Sequence, residues 1–450
     1  MPTIVGMRGF LASSIGVTCA AALALPLTLP TTSHAAPTPA QDALPGSTQS
    51  LPLTPLTANR AAGTPQEQGL PQRDVRPFSL VGVVWDDPDA ELHGHVQVRT
   101  RTTGTTTWSV WQDVETHNDD APDPDTAERT SGRIHGSTAP LWVGDSDGVE
   151  VRVKAEESQP TRATQQDQPL LPEGLRLELV DPGDEPSQGA PADAPRATTL
   201  TAESAAASAV NAELAPLGAA AVPALTKKVT EDELIEARGG EPRTTKVRPY
   251  VGARPRIITR KGWGANEKLR ERDFVYTKTV KAAFVHHSAS GNNYRCSQAP
   301  SVIRSIYRYH VKSSGWRDMG YNFLVDKCGN IYEGRAGGIA KPVMGAHTLG
   351  FNTNSMGVAV LGTFGRSNPP GAALSAIAKL TAWKLGLYGA NPRGTTYLKS
   401  GGGNLYRKGK NVRLHVISGH RDGFATECPG RRLYNKLGKT RSSSAHLQGR

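Results

Sequence analysis

Apolar and polar positions recur along this chain with two different periods, and the change of period divides it. Between residues 75 and 183 the period is two: Val149, Val151 and Val153 alternate with Glu150 and Arg152, and Leu175, Leu177 and Leu179 alternate with Arg176 and Glu178. Side chains on a strand point to opposite faces in turn, so this region is expected to form strands with one face buried. Its Gly, Asp and Pro turns, with Trp85, Trp108, Trp111 and Trp142 among the strands, predict a small all-β, sandwich-like domain. Burial in the core is the default for those tryptophans, and carbohydrate binding is the functional alternative.

From about Arg254 the pattern becomes mixed. Ala282 to His286 and Leu414 to Ser418 are short apolar runs of the kind that form buried strands. Between them, Val302, Ile303, Ile306 and His310 share one face of a predicted helix, and Leu374, Ile377, Ala378, Thr381 and Leu385 one face of another. Residues 254–440 are therefore expected to be an α/β domain, a mixed β-sheet flanked by helices. The rest reads as connecting sequence: a disordered Pro/Ala/Thr-rich segment over 36–74, a low-complexity linker over 184–253 and a basic tail over 441–450.

Residues 1–35 hold Arg8, an apolar stretch from Phe10 to Leu29, and small residues at Ser33 and Ala35. That order predicts a signal peptide cut before Ala36 and a protein that is secreted, extracellular or bound to a cell wall. No later run approaches the roughly 18 apolar residues of a spanning helix. A monomer without a transmembrane segment is expected.

Charge sharpens the division. The 450 residues carry 52 Lys plus Arg against 41 Asp plus Glu, a net of +11. Residues 251–450 alone hold 33 basic against 8 acidic side chains, which leaves 19 basic and 33 acidic in the first 250. A secreted basic domain is drawn to anionic surfaces such as acidic wall polymers, with no call for specific nucleic-acid recognition.

Chemistry-bearing residues gather in the basic half. His286 and His420 each end an apolar run, and Cys428 follows shortly after. Two imidazoles and a thiolate suit one zinc ion and leave its fourth position open, the mark of a catalytic rather than a structural site. His287 competes with His286, but neighbours on a strand face opposite ways, so only one can reach the metal. Cys19 leaves with the signal peptide. With Cys428 on the metal, Cys296 and Cys328 can pair, closing a loop worth on the order of 3 to 4 kcal/mol; two free thiols are the alternative, less suited to an oxidising compartment.

Five segments occur in register over residues 254–440: Gly262-Trp263-Gly264, Phe284-Val285-His286-His287-Ser288, Gly320-Tyr321-Asn322-Phe323, Gly345-Ala346-His347 and Asn354-Ser355-Met356-Gly357. With His420 and Cys428-Pro429 they resemble the zinc-dependent N-acetylmuramoyl-L-alanine amidase branch of the peptidoglycan recognition protein family. The resemblance implies a peptidoglycan or muropeptide substrate, cut at the lactyl amide between muramic acid and the peptide stem. It implies one zinc on His286, His420 and Cys428, Tyr321 and Thr426 as catalytic groups, and His347 and Asn354 as substrate contacts. No glutamate lies near Gly357–Leu361, so the tyrosine type of site is implied. Residues 75–183 resemble the accessory β-domain of some secreted actinobacterial amidases. Two other functions compete: muropeptide recognition without cleavage, and a cysteine hydrolase with Cys428 as nucleophile and His420 as base.

Overall fold

The computed structural model describes residues 45–56, 67–116, 120–156, 171–183, 206, 208–214, 218–243 and 246–450. The expected signal peptide and Cys19 lie outside them. Leu44–Arg450 forms one unit in which two lobes share a packed seam.

The amino-terminal lobe is all β. Strands β1 (Ser47–Pro52), β2 (Thr54–Pro55), β3 (Glu67–Trp85), β4 (Gly94–Thr102), β5 (Gln112–Val114), β6 (Gly136–Ser137), β7 (Leu141–Ala155) and β8 (Arg176–Asp181) join in one sheet of order β1-β8-β3-β7-β4-β5, with β2 and β6 against β3. Register shifts between Leu70 and Leu80 let the long β3 bend against β7, because each extra residue kinks the strand that carries it. The sandwich-like reading thus takes the form of a continuous bent sheet. Part of the segment expected to be disordered is paired: β1 runs antiparallel to β8, and Glu67 already opposes Lys154.

Over Phe78–Trp85, strand β3 is buried on both faces, as its largely apolar sequence requires. Val81, Val83 and Trp85 enter the lobe's own core with Val149, Val151 and Leu177, while Leu80 and Val84 face the other lobe. Gly82 lies flush against it, since a Cβ there would come within 2.3 Å of the Tyr309 hydroxyl. The tryptophans divide: Trp85 and Trp142 are buried, whereas Trp108 and Trp111 lie under the guanidinium groups of Arg99, Arg101 and Arg152.

The carboxyl-terminal lobe is a seven-stranded mixed sheet. It contains β9 (Ala221–Val222), β10 (Ile257–Ile258), β11 (Ala282–His287), β12 (Phe323–Val325), β13 (Ile331–Glu333), β14 (Ser355–Val360) and, after the separate hairpin of β15 (Thr395–Lys399) and β16 (Asn411–His415), β17 (Ile417–Gly419). The order is β17-β11-β14-β12-β13-β10-β9, with β17, β11, β14 and β12 parallel. The predicted strand over Leu414–Ser418 is split, its first part in the hairpin and its second in the sheet.

Helices α1 (Lys227–Ala237), α2 (Ala299–Arg308), α3 (Gly371–Leu387), α4 (Arg431–Tyr434) and α5 (Leu437–Gln448) complete the lobe. Ile377 and Leu380 of α3 pack with Leu437 of α5 on Val285, Val358 and Val360. Val302, Ile303 and Ile306 of α2 pack on the opposite face and on β3 and β8. A π-helical turn, Tyr309–Ser313, extends α2, and the Tyr309 hydroxyl donates towards the carbonyls of Val83 and Thr138.

The described parts of two stretches expected to be outside the fold belong to it. Within 184–253, Val222 pairs with Ile257 at the sheet edge and α1, capped by the Thr226 hydroxyl, sends Leu234 and Ile235 inward, with Leu234 and Val251 joining the main core. The expected tail over 441–450 is mostly helix α5, which buries Ser444, Ala445 and Gln448. Low-complexity composition hid both, because few apolar residues suffice when a large sheet already offers the surface to cover.

Candidate metal centre

The parallel strands end at one edge, where their loops gather the chemistry. On β11 the alternation is strict: Ala283 and Val285 enter the main core, and His286 shares the opposite parity with Ala282 and Phe284. His287 turns the other way, and its Nδ1 accepts the Phe364 N–H at 3.3 Å. His420 follows β17 in a tight turn held by Asp422, which accepts the Gly419 N–H at 2.9 Å and the Tyr434 hydroxyl at 2.6 Å. Cys428 returns beside them, its carbonyl accepting the Arg421 N–H.

His286, His420 and Cys428 are buried, and one ligand atom from each lies within 4.8 Å of the others. Cys428 Sγ is 3.7 Å from His286 Nδ1. Burial lowers the pKa of both histidines to about 3 and keeps the rings neutral, the form that binds metal. Both ring nitrogens of His420 are buried without a hydrogen bond from the described residues, an arrangement that is costly unless something coordinates them. Convergence, neutral imidazoles and a thiol therefore fit a zinc ion.

The other predicted site residues fall at different distances from this cluster. Tyr321, wholly buried, stands beside His286 with ring centroids 5.5 Å apart. Thr426 accepts the Cys428 N–H at 3.2 Å and so shapes the ligand's turn. His347 packs edge-on to His286 and bonds Thr348 through Nδ1 at 3.0 Å, its pKa held well below the usual value by burial and the neighbouring histidines. Asn354 is not brought to the centre. It sits at the start of β14 with φ 60°, beside Lys281, five residues or about 16 Å of strand from the level of His286. Its place in the motif reflects a left-handed turn that asparagine tolerates. Cys296 and Cys328 are bonded to each other.

The site also contains residues with no counterpart among the predicted ones. Asp120, from the amino-terminal lobe, places Oδ1 3.1 Å from His286 Nδ1 and 3.4 Å from His420 Nδ1, and Oδ2 accepts the Tyr321 hydroxyl at 2.5 Å. Asn352 Oδ1 accepts the N–H groups of His347 and Thr348 at 2.7 and 3.1 Å, fixing that loop. Asp120 sits in the acidic, Pro-rich run Asp119–Asp125, which looks like a solvated turn; charge asymmetry between the halves was the only trace of its destination.

Residues 276–431 match the N-acetylmuramoyl-L-alanine amidase family, and residues 35–170 match the Rv3811 N-terminal galactose-binding domain-like family. Peptidoglycan-recognition protein SC1a of Drosophila melanogaster is 34% identical over 155 residues, 34% of this chain and 70% of that one. The chain belongs to the peptidoglycan recognition protein family. Within it, the human N-acetylmuramoyl-L-alanine amidase is 31% identical over 188 residues, 41% of this chain and 28% of that protein. The solved structure of Drosophila PGRP-LB is 25% identical, with 40% of this chain and 91% of that one aligned at a TM-score of 0.32. Membership ties the carboxyl-terminal lobe to peptidoglycan.

Proposed function

We propose that this protein is a secreted, zinc-dependent N-acetylmuramoyl-L-alanine amidase that hydrolyses the lactyl amide between muramic acid and the peptide stem. The observation that carries the reading is the convergence of His286, His420 and Cys428 within 4.8 Å at the carboxyl edge of the sheet, with Tyr321 alongside. The amidase family match over the same residues supports it.

An amide resists hydrolysis because its carbonyl is a poor electrophile and its amine a poor leaving group. Zinc held by His286, His420 and Cys428 would polarise the carbonyl and make water nucleophilic near neutral pH. The Tyr321 phenol, which donates to Asp120 in the structure, would instead donate a hydrogen bond to the oxygen on which negative charge develops. His347 Nε2, buried and without a hydrogen bond from the described residues, would be a second hydrogen-bonding group for substrate. Thr426 holds the Cys428 turn, and Asn352 holds the backbone that carries His347. Burial of these groups excludes bulk water and strengthens each contact.

Mass spectrometry of peptidoglycan digested by the purified protein tests the reading. Release of intact stem peptides, lost on chelation and restored by zinc, is the expected outcome. Chelator-resistant cleavage blocked by thiol alkylation would replace it with the cysteine hydrolase, and binding without release would replace it with a receptor.

A further inference from the structure

We propose that Asp120 is a fourth protein ligand of the metal and that residues 120–128 form an internal strap that holds the site closed. The inference rests on the zinc reading above and adds to it a donor from the other lobe.

Donor spacing comes first. Ligands at about 2.0–2.2 Å for nitrogen and oxygen and about 2.3 Å for sulfur, set tetrahedrally on one zinc, stand roughly 3.3–3.6 Å apart. Asp120 Oδ1 is 3.1 Å from His286 Nδ1 and 3.4 Å from His420 Nδ1, and His286 Nδ1 is 3.7 Å from Cys428 Sγ. The carboxylate thus stands at ligand spacing from both histidines, with its side chain 1% exposed. Its second oxygen engages the Tyr321 hydroxyl, the same group that would serve the substrate.

The carboxylate is also anchored on both sides of the catalytic edge. Ala121 O accepts from Asn352 Nδ2 at 2.9 Å, and Asp123 Oδ1 accepts from Gly350 N, Asn352 N and Asn352 Nδ2 at 2.8, 3.3 and 2.7 Å. Asn352 is the side chain that fixes the His347 loop, so the strap is clamped to the wall of the site itself. Further on, Glu128 forms a two-pronged pair with Arg335 at 2.8 and 2.9 Å, both side chains nearly inaccessible. Ile134 then packs between Trp316 and Ala346. What remains open nearby is a cleft of about 350 Å³ bordered by Asp120, Trp85, Trp316 and Phe424.

A closed four-ligand set leaves no position for water or a carbonyl, so a substrate must displace Asp120 before it can react. A strap that occupies the site more than about 90% of the time weakens apparent binding of any competing ligand about tenfold.

The test loads cobalt(II) into the full chain and into Asp120→Ala and Glu128→Gln, and titrates each with thiocyanate while following the visible absorption of the metal. The expected result is that Asp120→Ala binds thiocyanate roughly tenfold or more tightly than the parent chain, with Glu128→Gln between them. Glu128 does not touch the ligands, so it reports on the strap even if Asp120→Ala folds poorly. Equal thiocyanate affinity in all three proteins, each holding one cobalt, would overturn the strap and leave the amidase reading standing. Failure of every protein to bind cobalt would overturn both.

Discussion

The two lobes meet at the metal centre with opposite charge and unequal visibility. The carboxyl-terminal lobe is basic and supplies His286, His420, Cys428 and Tyr321 from the ends of its own strands and the loops beyond them. The amino-terminal lobe is acidic and supplies Asp120, Asp123 and Glu128 from a segment with little regular structure. The net charges of the halves, which suggested a pull towards wall polymers, are thus partly neutralised inside the molecule. Here charge asymmetry within a chain reports on an internal partner as well as an external one.

The comparison can be broken most severely from the basic side. Cys428→Ala removes the thiolate ligand and should reduce both bound zinc and stem release to background, by metal analysis and by digestion; retained metal with lost cleavage would point to Cys428 as nucleophile. From the acidic side, Glu128→Ala strands the buried guanidinium of Arg335 and should cost about 3–5 kcal/mol in denaturant unfolding. A loss below about 1 kcal/mol would mean that the lobes do not depend on this pair.

Tyr321→Phe keeps the ring and removes the donor. It should lower kcat by roughly 10²- to 10³-fold with zinc content intact, the range for loss of one oxyanion donor; unchanged turnover would remove Tyr321 from the chemistry. The lobes should also differ in acid. Burial holds His286, His287, His310 and His420 near a pKa of about 3, so between pH 6.5 and about 3 the unfolded chain takes up protons that the folded one refuses. The contribution of these histidines to the stability of the metal-free protein is full above pH 6.5 and falls as pH drops through that window. Urea midpoints that stay flat from pH 6.5 to 4 would contradict this. Smallest of all, Arg133→Ala breaks a pair with Glu271 across the lobes, and with Arg133 half exposed it should cost less than about 1 kcal/mol.

The clustering of His286, His420 and Cys428 was legible because each sits at a local landmark: an apolar run ending in histidine, or a cysteine just beyond one. The α/β class followed from the same runs. Helix α1 and strand β9 were not legible, since Val222 reaches the core only once it pairs with Ile257, thirty-five residues away in sequence. Asp120 was hidden more deeply. An aspartate among prolines and aspartates has the composition of a surface turn, and only three-dimensional closure brings it to His286. Asn354 is the reverse case: it belongs to the recognisable motif, and the structure places it in a left-handed turn five residues of strand from the level of His286.

The seam at Tyr309 bears on how such a closed site could ever open. Its hydroxyl reaches across to Val83 and Thr138, and Gly82 leaves no slack against its ring. Pulling the lobes apart would wet that whole seam, whereas lifting 120–128 breaks a compact set of buried polar contacts made by Asp120, Asp123 and Glu128. The seam is therefore the riveted leaf of a hinge and 120–128 the leaf that the strap proposal asks to move, and a chain trimmed of its first lobe would bare the apolar face that Leu80 and Val84 now cover.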